Sequence, residues 1–399
     1  ATDPQDGRIP GPALAWTSSI DGALGSGETL ESSDLSVGIH TIVLSATDSD
    51  GNRGQASVSL GIQELDFLDG TVSNPEMGLV VSTLGNALRL FQLGEPEDRR
   101  DIPLGASSAV TATGISVWGE RAAVPLGNAA SVAILNLRSR QVEGFFLFES
   151  GNATGSAFAD QETVVVANQE TDRVGRIQMG QASQNIQGLV EVAPFPSQVV
   201  RVSPFRMAVI SSNLDDNYLP AGDGVVTIMD PSSLQTLGTV ETGGVNPQYG
   251  AMGPDGLLYV TNTEDYVQPS SLAVIDPQSL TRVELVDGFS PGSGDVFVDD
   301  QGLVYVSGFF FGTVIWDSNT KTFVRGPEDP VCAPLHGGGC RGASASATAQ
   351  DGGLYQAFFG SPAQGLSPWI FRYAPGSFEL TDSVASGPGP VAIQIRSFR

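Results

Sequence analysis

The chain is poor in cysteine, histidine and positive charge. Its 399 residues hold two cysteines, two histidines, and 19 Lys and Arg against 44 Asp and Glu, for a formal charge of −25. A phosphate backbone needs clustered Lys and Arg, so this balance argues against nucleic acid and anionic membranes as partners. No uninterrupted apolar run reaches the roughly 18 residues that a membrane-spanning helix needs. The scarcity of histidine narrows catalysis as well. His40 lies in an alternating strand-like run and reads as structural. His336 lies in Cys332-Ala-Pro-Leu-His-Gly-Gly-Gly-Cys340, with no serine nucleophile motif near it. Two sulfurs and one imidazole fall one ligand short of a zinc site. Cys332 and Cys340 therefore read as a local disulfide that staples a Gly-rich loop in an oxidising compartment. No phosphate-binding Gly-rich loop, haem-attachment motif or zinc motif is present. The first residue is Ala1 rather than Met, which reads as a removed signal peptide or a fragment.

What the chain has is glycine and short β-rich runs. Gly numbers 49 and charged residues make up only 16%. The clearest unit runs from Gly253 to Gly288. Pro254-Asp255-Gly256 turns the chain, because Pro presets the first corner and Gly accepts positive φ. Leu257–Thr261 and Leu272–Ile275 follow as strands. Asp276-Pro277-Gln278-Ser279 turns again, and Thr281–Val286 returns. Similar units start near Leu79, Ala122, Val164, Ala208, Leu258, Val304 and Leu354. A repeat of this size made of strands alone predicts a β-propeller, and seven copies predict seven blades. Pro390-Val-Ala-Ile-Gln-Ile-Arg396 is left over at the end. Placed as the innermost strand of the first blade, it closes the ring and removes an open edge.

On Leu258-Tyr-Val-Thr-Asn262 with Val274-Ile-Asp-Pro277, and on Val304-Tyr-Val-Ser307, the chain resembles the bacterial YVTN/NHL-like propeller repeats over roughly residues 76–399. The resemblance implies fold; propellers serve many functions. Streptogramin lyase-like propellers depend on a catalytic His and lactonase-like ones on a metal-binding acid/Asn set. Neither constellation is found, so no catalytic residue is assigned.

Residues 1–64 form a different module. Leu14–Ser18, Gly38–Thr47 and Gln55–Leu60 alternate as half-buried strands do. Trp16-Thr-Ser-Ser-Ile-Asp-Gly22, Leu35-Ser-Val-Gly-Ile-His-Thr41 and Ala46-Thr-Asp-Ser-Asp-Gly51 resemble a bacterial Ig-like (PKD-like) domain. In such domains Asp3-Pro-Gln-Asp-Gly7 would follow the first strands; here it stands at the start. The fold class expected is thus all-β: a partial Ig-like β-sandwich, a linker at 65–75, and a seven-bladed propeller at 76–399. A sandwich lacking its first strands exposes an edge. The gap reads as a fragment, a shortened topology, or a site filled by a strand from another copy. The expected assembly edge is Ala13, Leu14, Ala15, Trp16, Ser57 and Val58.

In a four-stranded blade, loops after the second and fourth strands share one face. Here those loops are the long ones, around blades four to seven. They bring the aromatics Tyr218, Tyr266, Phe309, Phe310, Phe311 and Trp369 to an expected binding face for glycan or protein. No cofactor is required. Calcium is the one cation the acids suit, at Asp215, Asp216 and Asp223, or at Asp3, Asp6, Asp48 and Asp50. Neither set has the spacing of a twelve-residue calcium loop, and Asx-rich turns usually need no metal. Asn152-Ala-Thr154 is a glycosylation sequon read as a chance match. The function expected is a non-enzymatic, secreted or cell-surface subunit that assembles with other copies of itself. A ligand-binding propeller is the alternative, and a propeller lyase or hydrolase comes third.

Overall fold

A computed structural model describes the chain except for residues 4, 31, 33, 34, 37, 63–75, 94, 106–109, 182, 336–338, 362–364 and 399. The expected linker and His336 lie outside the described residues. The chain divides into two units, Ala1–Asp69 and Gly70–Arg399.

The first unit is all β apart from a 3-10 turn at Gly11–Ala13. Strands β1 (Thr2–Asp3) and β2 (Gly7–Arg8) form a short antiparallel ribbon. Strands β3 (Leu14–Ser18), β4 (Gly22–Ser26), β5 (Gly38–Thr47) and β6 (Arg53–Ile62) form one antiparallel sheet in the order β4-β3-β5-β6. Alternation gives the sheet two unlike faces. One carries Leu14, Trp16, Ile42, Leu44, Ala46, Ala56, Val58 and Leu60, which meet as cross-strand pairs. Ser and Thr dominate the other.

This order corrects the expected edge. Leu14, Ala15 and Trp16 lie in an interior strand, paired with β4 on one side and β5 on the other. Ala13 ends the 3-10 turn. The return strand Gly22-Ala-Leu-Gly-Ser26 has too little β-rich character to be read from sequence, and it is this strand that covers β3. Ser57 and Val58 do lie on an edge strand, β6.

The second unit is seven four-stranded antiparallel sheets. Blade one begins with β7 (Glu76–Ser82), β8 (Ala87–Gln92) and β9 (Glu95–Pro103). Blade two is β10 (Ser116–Trp118), β11 (Arg121–Pro125), β12 (Ser131–Asn136) and β13 (Gln141–Leu147). Blade three is β14 (Ala153–Phe158), β15 (Thr163–Asn168), β16 (Arg173–Gln178) and β17 (Gln187–Glu191). Blade four is β18 (Pro196–Ser203), β19 (Arg206–Ser211), β20 (Val225–Met229) and β21 (Thr236–Glu241). Blade five is β22 (Pro247–Met252), β23 (Leu258–Asn262), β24 (Ser270–Asp276) and β25 (Thr281–Phe289). Blade six is β26 (Ser293–Val298), β27 (Leu303–Gly308), β28 (Gly312–Asp317) and β29 (Thr322–Arg325). Blade seven is β30 (Ala345–Thr348), β31 (Leu354–Phe358), β32 (Trp369–Tyr373) and β33 (Leu380–Ala385). The last strand, β34 (Pro390–Ser397), pairs with β7 and completes blade one.

Apolar residues fill the spaces between blades. Tyr259, Leu272, Phe289, Val304 and Trp316 join blades five and six. Val80, Phe91, Ala347, Tyr355 and Ile393 join blades seven and one. The short turns after the first strands of blades five and six repeat one device. Gly256 takes φ +81°, while Asp255 accepts from the Leu257 amide and from the Tyr259 hydroxyl at 2.7 Å. Asp299 does the same with Leu303 and Tyr305 in blade six. The third-to-fourth turns use Asp230, Asp276 and Asp317 as Asx caps. The Ser232 hydroxyl and neighbouring amides hold Asp230 down at about 2.

Inner strands are stitched together around the axis. Gln394 Nε2 donates to Ile115 O (2.9 Å), the Ser116 and Ser156 hydroxyls meet at 3.0 Å, and Thr154 Oγ1 donates to Pro196 O (2.8 Å). The Gly250 amide donates to Gln198 Oε1, and Thr263 Oγ1 donates to Ser293 O (2.9 Å). The Ser346 amide donates to Asp295 Oδ2 (3.1 Å), and Ser344 Oγ donates to Pro390 O (2.6 Å). Each of the seven blade junctions thus carries a bond made by a side chain.

Candidate functional site

The elaborated loops lie on one propeller face, where Phe309, Phe310 and Phe311 cluster and Tyr218 and Tyr266 stand on other loops. Tyr218 is 68% exposed and its ring meets Phe195 edge-on at 5.2 Å. Tyr266 is 56% exposed, and its hydroxyl accepts from Gln248 Nε2 at 3.1 Å. Phe309, Phe310 and Phe311 form the turn between β27 and β28, and all three are exposed. Phe309 touches Phe359 at 5.1 Å. Cys332 and Cys340 form the expected disulfide, with Cα atoms 5.6 Å apart. Beside it, Arg341 lies over the Phe358 ring at 5.1 Å. Trp369 departs from expectation. It opens β32 half-buried and packs against the core of blades six and seven, because its partner across the strands is buried Phe358.

The acids are occupied locally. Asp215 Oδ1 accepts from the amides of Asn217 and Leu219, which lowers its pKa, and the chain reverses there. Asp3 accepts from the Gln5 and Asp6 amides, Asp6 from Ser49, and Asp48 from Asp50 and Asn52. Asp215, Asp216 and Asp223 on one unit, and Asp3, Asp6, Asp48 and Asp50 on the other, do not converge. Among the described residues no group of three His, Cys, Asp or Glu is placed to hold a metal ion.

His40 is fully buried between a serine and a carbonyl. Nε2 meets Ser36 O at 2.6 Å, so it carries the proton, and Nδ1 accepts from Ser18 Oγ at 2.7 Å. Ser18 Oγ already accepts from the Ile20 and Asp21 amides. Asp21 lies 3.4 Å from the same Nδ1. Serine and acid therefore crowd one nitrogen, and the other nitrogen has no substrate-facing role. The group is a turn anchor.

The feature that sequence reading missed is the channel. A cavity of about 490 Å³ is lined by all seven innermost strands, with Gln198, Asp295, Gln394, Arg201 and Arg396 set among mostly apolar and small residues. The inner strands are bulged, which shifts the side-chain alternation at these positions. Burial pushes Asp295 up to about 7, against the opposing pull of the Ser346 and Val296 amides. Burial also pushes neighbouring Tyr249 up to about 12. Since the folded pKa of Asp295 lies above its ordinary 3.8, its stabilising contribution is complete below that value and is lost as pH rises through about 7. Wild type should therefore lose stability relative to Asp295→Asn between pH 4.5 and 8, read as a widening gap in denaturant midpoints. A constant gap across that range would show that the carboxyl titrates normally.

On the first unit, β6 is the chemically conspicuous element. It pairs with β5 through ten successive residues without a bulge, and residues 53–61 are all exposed. Val58 is 60% exposed and Leu60 40%. Sheet strands β3 to β6 contain no Asp or Glu.

No protein-family model matches the chain, and no curated protein matches it. Solved structures do. Hydrazine synthase of Kuenenia stuttgartiensis is 14% identical with a TM-score of 0.55, covering 72% of this chain and 90% of that one. A functionally unknown protein of Desulfotomaculum acetoxidans is 14% identical with a TM-score of 0.60, covering 82% of this chain and 100% of that one. At this identity the likeness speaks for the fold alone.

Proposed function

We propose that the chain is a non-enzymatic extracellular interaction subunit that assembles with other copies of itself by adding a strand along β6. The observation that carries this reading is the unprotected edge. Natural edge strands are kept apart by charge, proline, bulges or shortness. β6 has none of these beyond Arg53 at its start. Between chains of charge −25, contact is least opposed where acids are missing, and this sheet lacks them. A strand laid beside β6 would extend the apolar row of Trp16, Leu44 and Ala56 and cover Val58 and Leu60. Main-chain hydrogen bonds would give affinity and the alternate side chains register. The Ig-like (PKD-like) resemblance of residues 1–64 belongs to the same reading, and the Cys332–Cys340 disulfide favours an oxidising compartment.

The direct test is particle mass in native solution by light scattering. Species well above 41.5 kDa that grow with concentration are expected. A monodisperse 41.5 kDa particle at high concentration would overturn self-assembly.

A further inference from the structure

The upper mouth of the propeller channel holds a second, smaller cavity of about 210 Å³, where β14, β18 and β22 begin. Its lining contains no charged residue, in a chain with 44 acids and 19 bases. Amides and hydroxyls take their place: Asn152, Gln169, Ser197, Gln198 and Gln248, with the ring of Tyr249. Several of these groups are held in place by one bond and keep another bonding position open. Asn152 Nδ2 donates to Gln169 Oε1 at 3.3 Å and its Oδ1 is enclosed, so Asn152 braces the wall of the pocket. Gln198 spends Oε1 on the Gly250 amide, which leaves both Nε2 hydrogens without a described acceptor. Gln248 spends Nε2 on Asn246 and on the Tyr266 hydroxyl. Its Oε1 has no described donor.

We propose that this pocket binds a neutral saccharide, with one sugar ring seated in the mouth and Tyr266 at the rim. Sugar hydroxyls both donate and accept, and Asn and Gln are the neutral side chains that offer both functions from one planar group. A carboxylate or phosphate ligand would need a cation here, and an amine would need an acid; the lining has neither. Gln198 Nε2 and Gln248 Oε1 are the groups left to pair with a ligand's hydroxyls. Tyr249 supplies apolar ring surface of the kind small-ligand sites combine with a few polar groups, and Tyr266 stands next to the site through its bond to Gln248. The assignment stands independently of assembly through β6. It also gives Asn152 a role other than glycan attachment, since its amide nitrogen is bonded and its oxygen enclosed.

The test uses the whole protein and saturation-transfer NMR with glucose, galactose, mannose, N-acetylglucosamine and glucuronate as probes. At least one neutral sugar should bind with Kd on the order of 1 mM. Gln248→Ala and Gln169→Ala should each weaken it roughly five- to tenfold, the loss of one hydrogen bond, with unchanged melting temperature. Both residues are half-buried at the mouth, so the fold survives their truncation. No binding by any neutral sugar, tighter binding of glucuronate than of glucose, or equal binding by both variants would overturn the assignment.

Discussion

Deleting residues 390–399 is expected to abolish the cooperative unfolding transition of the propeller. Those residues contain β34, the innermost strand of blade one. Its removal strips β7 of its partner from Glu76 to Ser82. It takes Ile393 from the cluster with Val80, Phe91 and Tyr355. It also removes two of the seven junction bonds, those from Gln394 to Ile115 and from Ser344 to Pro390. Truncating one buried Ile to Ala costs about 2–5 kcal/mol. Losing a whole strand removes several such residues at once, against a total stability of about 5–15 kcal/mol for an ordinary domain. Calorimetry should show the sharp transition of the full chain replaced by a broad one or none. A synthetic peptide of residues 390–399 added in trans should restore part of it. A truncated chain that melts within a few degrees of the full one would show that ring closure contributes little.

Val58→Glu should dissolve the assembly and leave the fold intact. Val58 is 60% exposed, so the substitution leaves the folded chain's own core unaltered. It places an acid in a sheet that has none, in the middle of the row an added strand would cover. Burying that charge without a partner costs several kcal/mol, enough to weaken association by roughly a hundredfold or more. The same charge at Asn319, in an exposed turn of blade six, should change nothing. Light scattering at matched concentration reads the difference, with far-UV circular dichroism as the control for folding. Assembly by Val58→Glu at the wild-type level would remove β6 from the interface.

The propeller was legible because its signals are local and repeated. Each unit couples a turn such as Pro254-Asp255-Gly256 to a buried β-rich run, and seven copies at near-constant spacing leave one strand over. The closure by Pro390–Ser397 followed from that surplus, and the disulfide from two isolated cysteines. What escaped was information that exists only between elements. Alternation marks Leu14–Ser18 as a strand, but only the pairing of Gly22–Ser26 decides that it is interior. Trp369 stands beside long loops in sequence yet is drawn into the core by its cross-strand partner Phe358. Gln198, Asp295 and Gln394 sit far apart along the chain, one to a blade, and only the ring brings them to one channel. The pocket near Asn152 joins pieces of four blades, and no single segment announces it.

The junction bonds around the axis also bear on how such a ring is inherited. Blade interiors are built largely from Val, Ile, Leu and Ala, with Tyr, Trp and Phe added between blades five, six, seven and one. The clasps differ: an amide, a pair of hydroxyls, a threonine, another amide, another threonine, a carboxylate and a serine. Six of the seven meet a main-chain N–H or C=O of the adjoining blade, and only the Ser116–Ser156 pair joins two side chains. Main-chain groups are offered by nearly every residue. The fastening therefore depends on the residue that supplies the side chain, and the receiving blade is free to change its sequence as long as its backbone keeps its place.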